Sequence, residues 1–352
     1  MPRDIGFAVI GLGMGTHHCK SIEGADGAHL VAVCDQDQDR LHPVAEEYDC
    51  RAYDRLDDLL EDDEVSVINI ATPSGTHAQV GMAAARAGKH LIVEKPADIT
   101  VERIDALAAA GREHGVKIAG IFQARCHPLN IRIREAVQAG RVGQLVGVHG
   151  VVPWYREDSY YSGPHGSWKG TWEMDGGGSL MNQGIHTVDL LQWFGGRVEA
   201  VMGMYGKLGH DIETEDQTVA LLRYASGAIG TLYSTTCSYP GYDQRITLFG
   251  MEGSIIKEEG TLVSWKLAAD EGGREEEEMM QRYGRVAGGT VAADPMAVSA
   301  DGHTLIIADM VQAIRDDRDP EIGLDSARHS VEIINAVYEA ARRGGEVTLG
   351  VS

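Results

Sequence analysis

The stretch Val9-Ile10-Gly11-Leu12-Gly13-Met14-Gly15-Thr16 closes the apolar run Ile5 to Ile10 and opens a helical period from Gly15 to Glu23. Glycines at a strand-to-helix junction let the backbone turn tightly and approach a pyrophosphate, whose charge then rests on the helix N-terminus. The spacing departs from G-x-G-x-x-G, since the third glycine falls at Gly15 and Thr16 takes its usual place. An ordinary structural turn would also use glycines, so the surroundings must decide.

They favour a nucleotide site. Nearly all-apolar runs at Leu30 to Cys34, Val65 to Ile70, His90 to Val93 and Val116 to Ile121 alternate with helical periods around 37–48, 55–62, 76–87 and 101–114. That rhythm predicts central parallel strands covered by helices on both faces, an α/β doubly wound sheet. Asp35 ends the second run, roughly 20 residues after the glycines, where a carboxylate accepts hydrogen bonds from an adenosine ribose and repels a 2′-phosphate. NAD is therefore expected over NADP. Asp37 and Asp39 read as helix-capping charges.

Beyond about Phe122 the texture changes. A helical period (128–139), a strand (145–152), an aromatic and glycine-rich stretch (153–178) and a helix from Ser179 to Trp193 precede strand-like runs near 197–205, 216–224, 228–234, 244–249 and 261–266. Strands in series with hairpin-length connections predict a largely antiparallel sheet whose open face offers a subunit interface. The expected domains are 1–122 and 123–352, with helices at 304–315 and 326–343 closing the chain. The acidic run Glu271 to Glu278 reads as a solvated surface segment.

Composition removes other classes. Of 352 residues, 31 are Lys or Arg and 53 Asp or Glu, a formal charge of −22; that excess repels nucleic acid and anionic membranes. No apolar run approaches the roughly 20 residues needed to span a bilayer, and the N-terminus lacks a signal peptide's apolar core, so a cytoplasmic protein is expected. The five cysteines form no C-x-x-C pair and read as buried thiols of a reducing compartment, with no metal site.

Two motifs fall at carboxyl ends of predicted parallel strands, the edge that binds ligands: Ala71-Thr72-Pro73-Ser74-Gly75-Thr76-His77 and Glu94-Lys95-Pro96. A lysine near a nicotinamide can donate to a substrate hydroxyl and lower that oxygen's pKa; a surface lysine beside a turn proline is the alternative. In the second half, Asn182, His186 and Asp189 recur at i, i+4 and i+7 after Gly176-Gly177-Gly178, which would place them on one helix face. His186 is then either a general acid or base or a structural hydrogen bonder. Asn182 is a poor metal ligand, and no second histidine is spaced for zinc.

These residues together resemble the glucose-fructose oxidoreductase and inositol dehydrogenase family, Gfo/Idh/MocA, over nearly the whole chain. The resemblance implies a Rossmann domain followed by an α+β domain with a large open sheet, the active site lying in the cleft between them. It implies that Lys95 holds and polarises the reacting hydroxyl and that His186 is the general acid or base. Gly11, Gly13, Met14, Asp35, Thr72, Pro73, His77, Glu94 and Gln123 would line the dinucleotide. Trp168 and Lys169 resemble a Trp-Arg pair that reaches the cofactor, with Lys forgoing bidentate binding. Polyol dehydrogenases of the family often carry Asp where this chain has Asn182, and Met181-Asn182-Gln183 looks like relatives that oxidise a pyranoside 3-hydroxyl. A sugar 3-dehydrogenase is thus expected, as a homodimer or homotetramer, with Asn182, Asp189, Tyr155, Arg156 and His165 as candidate sugar contacts. Two alternatives stand beside it: a redox-neutral glycosidase that uses NAD transiently at C3, and a non-catalytic dinucleotide sensor, against which the Lys95 and His186 pair argues.

Overall fold

A computed structural model describes residues 4–163, 166–284 and 300–350. The chain forms two compact units: one of residues 1–123, 173–176 and 299–331, the other of 124–172, 177–298 and 332–352.

In the first unit β1 (Ile5–Ile10), β2 (Ala28–Cys34), β3 (Arg51–Tyr53), β4 (Val67–Ile70), β5 (His90–Val93) and β6 (Ile118–Gly120) make one sheet. Its order is β3-β2-β1-β4-β5-β6, parallel throughout. Between the strands run α1 (Gly15–Glu23), α2 (Gln38–Glu47), α3 (Leu56–Leu60), α4 (His77–Arg86) and α5 (Val101–His114). Phe7, Ala8, Val9, Val67, Ile68 and Leu91 are wholly buried, as strands covered on both faces must be. The strand order reverses between β1 and β4, which opens the ligand crevice at their carboxyl ends. The expected doubly wound sheet is therefore present. The short, exposed β3 carries no apolar run and is an addition to it.

In the second unit, α6 (Pro128–Gln138) and β7 (Leu145–Pro153) lead to α7 (Ile185–Gly195), β8 (Val198–Gly206), β9 (Gln217–Tyr224), β10 (Ile229–Thr235), β11 (Arg245–Gly250), β12 (Gly253–Glu258), β13 (Thr261–Leu267) and α8 (Arg274–Tyr283). With β14 (Val347–Thr348) the strands form a sheet ordered β13-β12-β11-β7-β10-β9-β8-β14. Only β7 and β10 pair parallel; all other neighbours are antiparallel. α7 packs on β7 and β11. On β9 burial alternates residue by residue, leaving Val219 and Leu221 exposed, and Met202 and Met204 of β8 pair beside them. The acidic run is partly helical: α8 contains Glu275, which pairs with Arg141 and accepts from Trp265 Nε1, so it is only partly solvated.

Near the end the chain returns to the first unit. α9 (Ala300–Arg315) packs on α1, the Gly120 N–H donates to the Ile322 carbonyl, and Arg328 pairs with Asp105 at 2.6 Å. α10 (Leu324–Arg343) begins in the first unit and ends in the second.

Candidate active site

The glycine turn divides three tasks among three residues. Gly11 has φ +87°, and a Cβ there would lie 2.6 Å from the Ala71 carbonyl oxygen, so only glycine lets β1 turn this close to the end of β4. A Cβ on Gly15 would meet Val9 at 2.8 Å, so this glycine, one place early, supplies the close helix-to-strand packing. Gly13 and Met14 are exposed, leaving backbone bare for a pyrophosphate at the start of α1. Asp35 braces the turn: Oδ2 accepts from Leu12 N at 2.7 Å and Oδ1 from Asp37 N at 2.9 Å. Asp37 caps α2, accepting from Asp39 N at 3.1 Å. Sequence reasoning passed over Arg40, which α2 carries to 2.9 Å from Asp37 and 3.9 Å from Asp35; the i, i+3 spacing was the available signal. Gln123 Oε1 is buried without a partner among the described residues. The bare turn, the braced carboxylate and this orphan acceptor fit a bound dinucleotide.

Around Lys95 the side chains face inward more than their positions suggested. The buried His77 ring lies between two carbonyls, Nδ1 at 2.7 Å from Pro96 O and Nε2 at 2.7 Å from Thr72 O. It ties the Thr72-Pro73 segment to the turn after Lys95 rather than lining a ligand surface. Glu94 requires the same correction. Its Oε2 accepts from Lys95 N at 2.9 Å, and its Oε1 lies 3.1 Å from His18 Nε2 and 3.4 Å from His303 Nε2. Burial pushes this carboxyl's pKa up, but the two histidines outweigh it and hold the group well below the usual carboxylate range. Glu94 therefore fixes the backbone of Lys95 from within a buried cluster. His303, on α9, had no signal near Glu94 in sequence. His18, Glu94 and His303, and in the second unit His210, Asp216 and Cys237, are the groups of described residues whose ligand-type atoms gather within 4.8 Å; hydrogen bonds and ion pairs account for the contacts in both.

In the second unit the expected single helix is two structures, a π-helical turn at Ser179–Gly184 followed by α7. The cause is Glu215, a buried carboxylate that accepts from the N–H groups of Gly178, Ser179 and Leu180 at 3.0 to 3.1 Å and from Tyr338 OH at 2.6 Å. A Cβ on Gly178 would lie 1.9 Å from the Glu215 carbonyl, and one on Gly177 2.2 Å from Tyr338 OH, which explains the glycine run. The wider turn breaks the i, i+4, i+7 face. Asn182 is buried, His186 half-buried, and Asp189 wholly enclosed. Asp189 accepts from Arg125 Nε at 2.7 Å and again from its Nη2, so it anchors Arg125, and its reading as a sugar contact is corrected to a buried ion pair.

Asn182 belongs to a polar cluster only partly foreseen. Its Oδ1 accepts from Tyr160 OH at 3.2 Å and Gln183 Nε2 at 2.7 Å, and Arg156 Nη2 donates to Gln183 Oε1 at 2.8 Å. Tyr160 and Gln183 were not among the predicted site residues. Lys169 Nζ lies 3.7 Å from the centroid of the Tyr160 ring, Trp168 is half-buried beside it, and Tyr155 packs edge-on against Tyr239. His165 lies outside the described residues.

A parallel nucleotide-binding sheet with this turn, followed by a separate unit of polar hydrogen-bonding groups, defines a nicotinamide-dependent oxidoreductase. Residues 5–121 match the oxidoreductase family with an NAD-binding Rossmann fold, and residues 131–256 match the GFO/IDH/MocA C-terminal domain. The chain is 30% identical to the WlbA dehydrogenase of Bordetella pertussis, solved with NADH and UDP-GlcNAcA, over 100% of this chain and 99% of that one, with a TM-score of 0.88. It is 28% identical to myo-inositol 2-dehydrogenase of Thermotoga maritima over 79% of this chain and 83% of that protein. Levoglucosan dehydrogenase, solved with NADH and levoglucosan, shares the fold at 20% identity and a TM-score of 0.84, over 99% of this chain and 100% of that one. The chain belongs to the Gfo/Idh/MocA family of NAD-binding oxidoreductases and is an NAD-dependent dehydrogenase of its sugar and polyol class. Among the described residues no helix is long and apolar enough to cross a membrane.

Proposed function

We propose that the enzyme oxidises a secondary hydroxyl of a pyranose, at the 3-position, with Lys95 holding and polarising the hydroxyl and His186 taking its proton. When bound, NAD supplies the hydride acceptor. The observation that carries the reading is the state of Asn182: an amide whose Oδ1 is held by Tyr160 and Gln183 orients a sugar ring but relays no proton. Proton transfer then falls to a histidine, whose unperturbed pKa lies near neutrality. Glu94 and His77 serve indirectly, bracing Lys95 from its own N–H and from the carbonyl of the next residue.

The same reading makes NAD the preferred nucleotide. Asp35 offers a carboxylate where NADP would bring a phosphate, and the Arg40 charge is matched by Asp37 and Asp35. The open sheet face bearing Met202, Met204, Val219 and Leu221 would be covered by a second copy of the chain, a state that light scattering measures directly.

The test is NADH formation by the purified protein with NAD and a panel of inositols, free hexoses, glycosides, hexuronates and nucleotide sugars, followed by product analysis. A 3-keto sugar with stoichiometric NADH is expected. An inosose, oxidation at another carbon, or aglycone release without NADH would overturn the assignment.

A further inference from the structure

Among the described residues, Arg156 is a buried charge without a counter-charge. Only 6% of the residue is exposed. Nη1 donates to the Tyr155 carbonyl at 2.9 Å and Nη2 to Gln183 Oε1 at 2.8 Å, both neutral acceptors, and Nε has no partner among the described residues. The adjoining Glu157 and Asp158 are exposed. Burial pushes the guanidinium pKa down, and only the phenols of Tyr160 and Tyr161 oppose it. The rings of Trp154 and Tyr160, 5.2 and 5.5 Å from the guanidinium carbon, offset part of the cost of burial by cation–π attraction. An uncompensated buried charge costs more than that attraction returns. Lys169 brings a second cation to the same Tyr160 ring, and Tyr160 OH and Gln183 connect Arg156 to Asn182. In a chain with a net charge of −22, this cluster lies within the candidate sugar contacts.

We propose that the Arg156 cluster is a receptor for an anionic group carried by the sugar substrate, a hexuronate carboxylate or a sugar phosphate. The proposal rests on the sugar dehydrogenase reading and narrows it: the natural substrate is an acidic sugar, and neutral hexoses and inositols are poor ones. The anion completes the charge balance that the protein leaves open, and charge-assisted hydrogen bonds to a guanidinium are the strong ones.

The experiment uses the full chain with NAD and five probes: glucose, glucuronate, glucose 6-phosphate, UDP-glucose and UDP-glucuronate. Two readouts are taken for each, NADH formation and the Kd from thermal stabilisation. Glucuronate and glucose 6-phosphate should each exceed glucose, and UDP-glucuronate should exceed UDP-glucose, which lacks the sugar carboxylate, by about 10- to 100-fold, the equivalent of one charge-assisted hydrogen bond. Selectivity for glucuronate assigns a carboxylate, and selectivity for glucose 6-phosphate a phosphate. In Arg156→Gln the ratio should fall below about 3-fold, whereas Arg156→Lys, which keeps the charge and guards against a folding defect, should retain part of it. Absence of any acid preference in both readouts, or an undiminished preference in Arg156→Gln, overturns the proposal. Acid-selective binding with no NADH from any probe would leave the receptor standing and remove the pyranose 3-hydroxyl oxidation proposed beneath it.

Discussion

Replacing Asp189 by Asn preserves shape and removes one charge from an enclosed ion pair in the second unit. Arg125 is 7% exposed and Asp189 wholly buried, joined through Nε at 2.7 Å and through Nη2. Breaking such a pair strands a guanidinium in low dielectric and costs about 3 to 5 kcal/mol. With a urea m-value of about 2 to 3 kcal/mol per molar, the unfolding midpoint should drop by about 1 to 2.5 M. Trp193 provides the signal, since the Arg125 guanidinium carbon lies 5.6 Å from its ring centroid. The double variant Arg125→Met/Asp189→Leu should recover most of the loss, because a buried pair and a well-packed apolar pair differ little. A midpoint unchanged in Asp189→Asn, accompanied by a raised KM for the sugar, would refute the ion-pair reasoning and return Asp189 to the substrate.

Lys257 on β12 is 2% exposed, and burial pushes its amine from 10.5 to about 8 against partial opposition from Glu259. Below about pH 8 both folded and unfolded chains hold the proton, so the full cost, at most about 3 kcal/mol, is present at neutrality. From pH 8 to 10.5 only the unfolded chain still holds it, and stability rises with pH. Lys257→Met should therefore raise the urea midpoint at pH 7, with a gain that vanishes toward pH 10.5; a pH-independent gain would exclude the charge as its cause. Asp35→Ser should raise the affinity for NADP relative to NAD in direct titrations of both nucleotides, and a wild type already selective for NADP would end the ribose assignment. Lys95→Ala should lower kcat about 10² to 10⁴-fold while NAD affinity, followed by fluorescence, stays within a few-fold; wild-type turnover would remove Lys95 from the chemistry.

What the chain reveals before folding depends on how locally each feature is caused. β1, α1, β5 and α5 are legible to the residue because apolar runs and helical periods are local properties. β12 escapes because it opens with Gly253 and Ser254 and buries a lysine. The π turn escapes because its cause, Glu215, lies more than thirty residues downstream of Ser179. At the candidate site the glycine turn and the place of Asp35 beside it are readable from position, since the ends of β1 and β2 define where they lie. The orientation of Glu94 and His77 is not, because the end of a strand says where a side chain starts and not which way it turns. Arg125 meets Asp189 across 64 residues, a distance no periodicity spans.

The late return of α9 also sets an order of events during synthesis. The six strands of the nucleotide sheet are complete once Gly120 has emerged, yet His303, the partner of Glu94, and Ile322, the acceptor for Gly120 N–H, come roughly 180 to 200 residues later. A nascent chain on the ribosome must therefore hold an unfinished nucleotide unit while β7 to β13 of the second sheet are made. A fragment cut after residue 122 would expose the flank of α1 and leave Glu94 without one of its two histidines, so the amino-terminal third is not a self-sufficient cofactor module that can be transplanted.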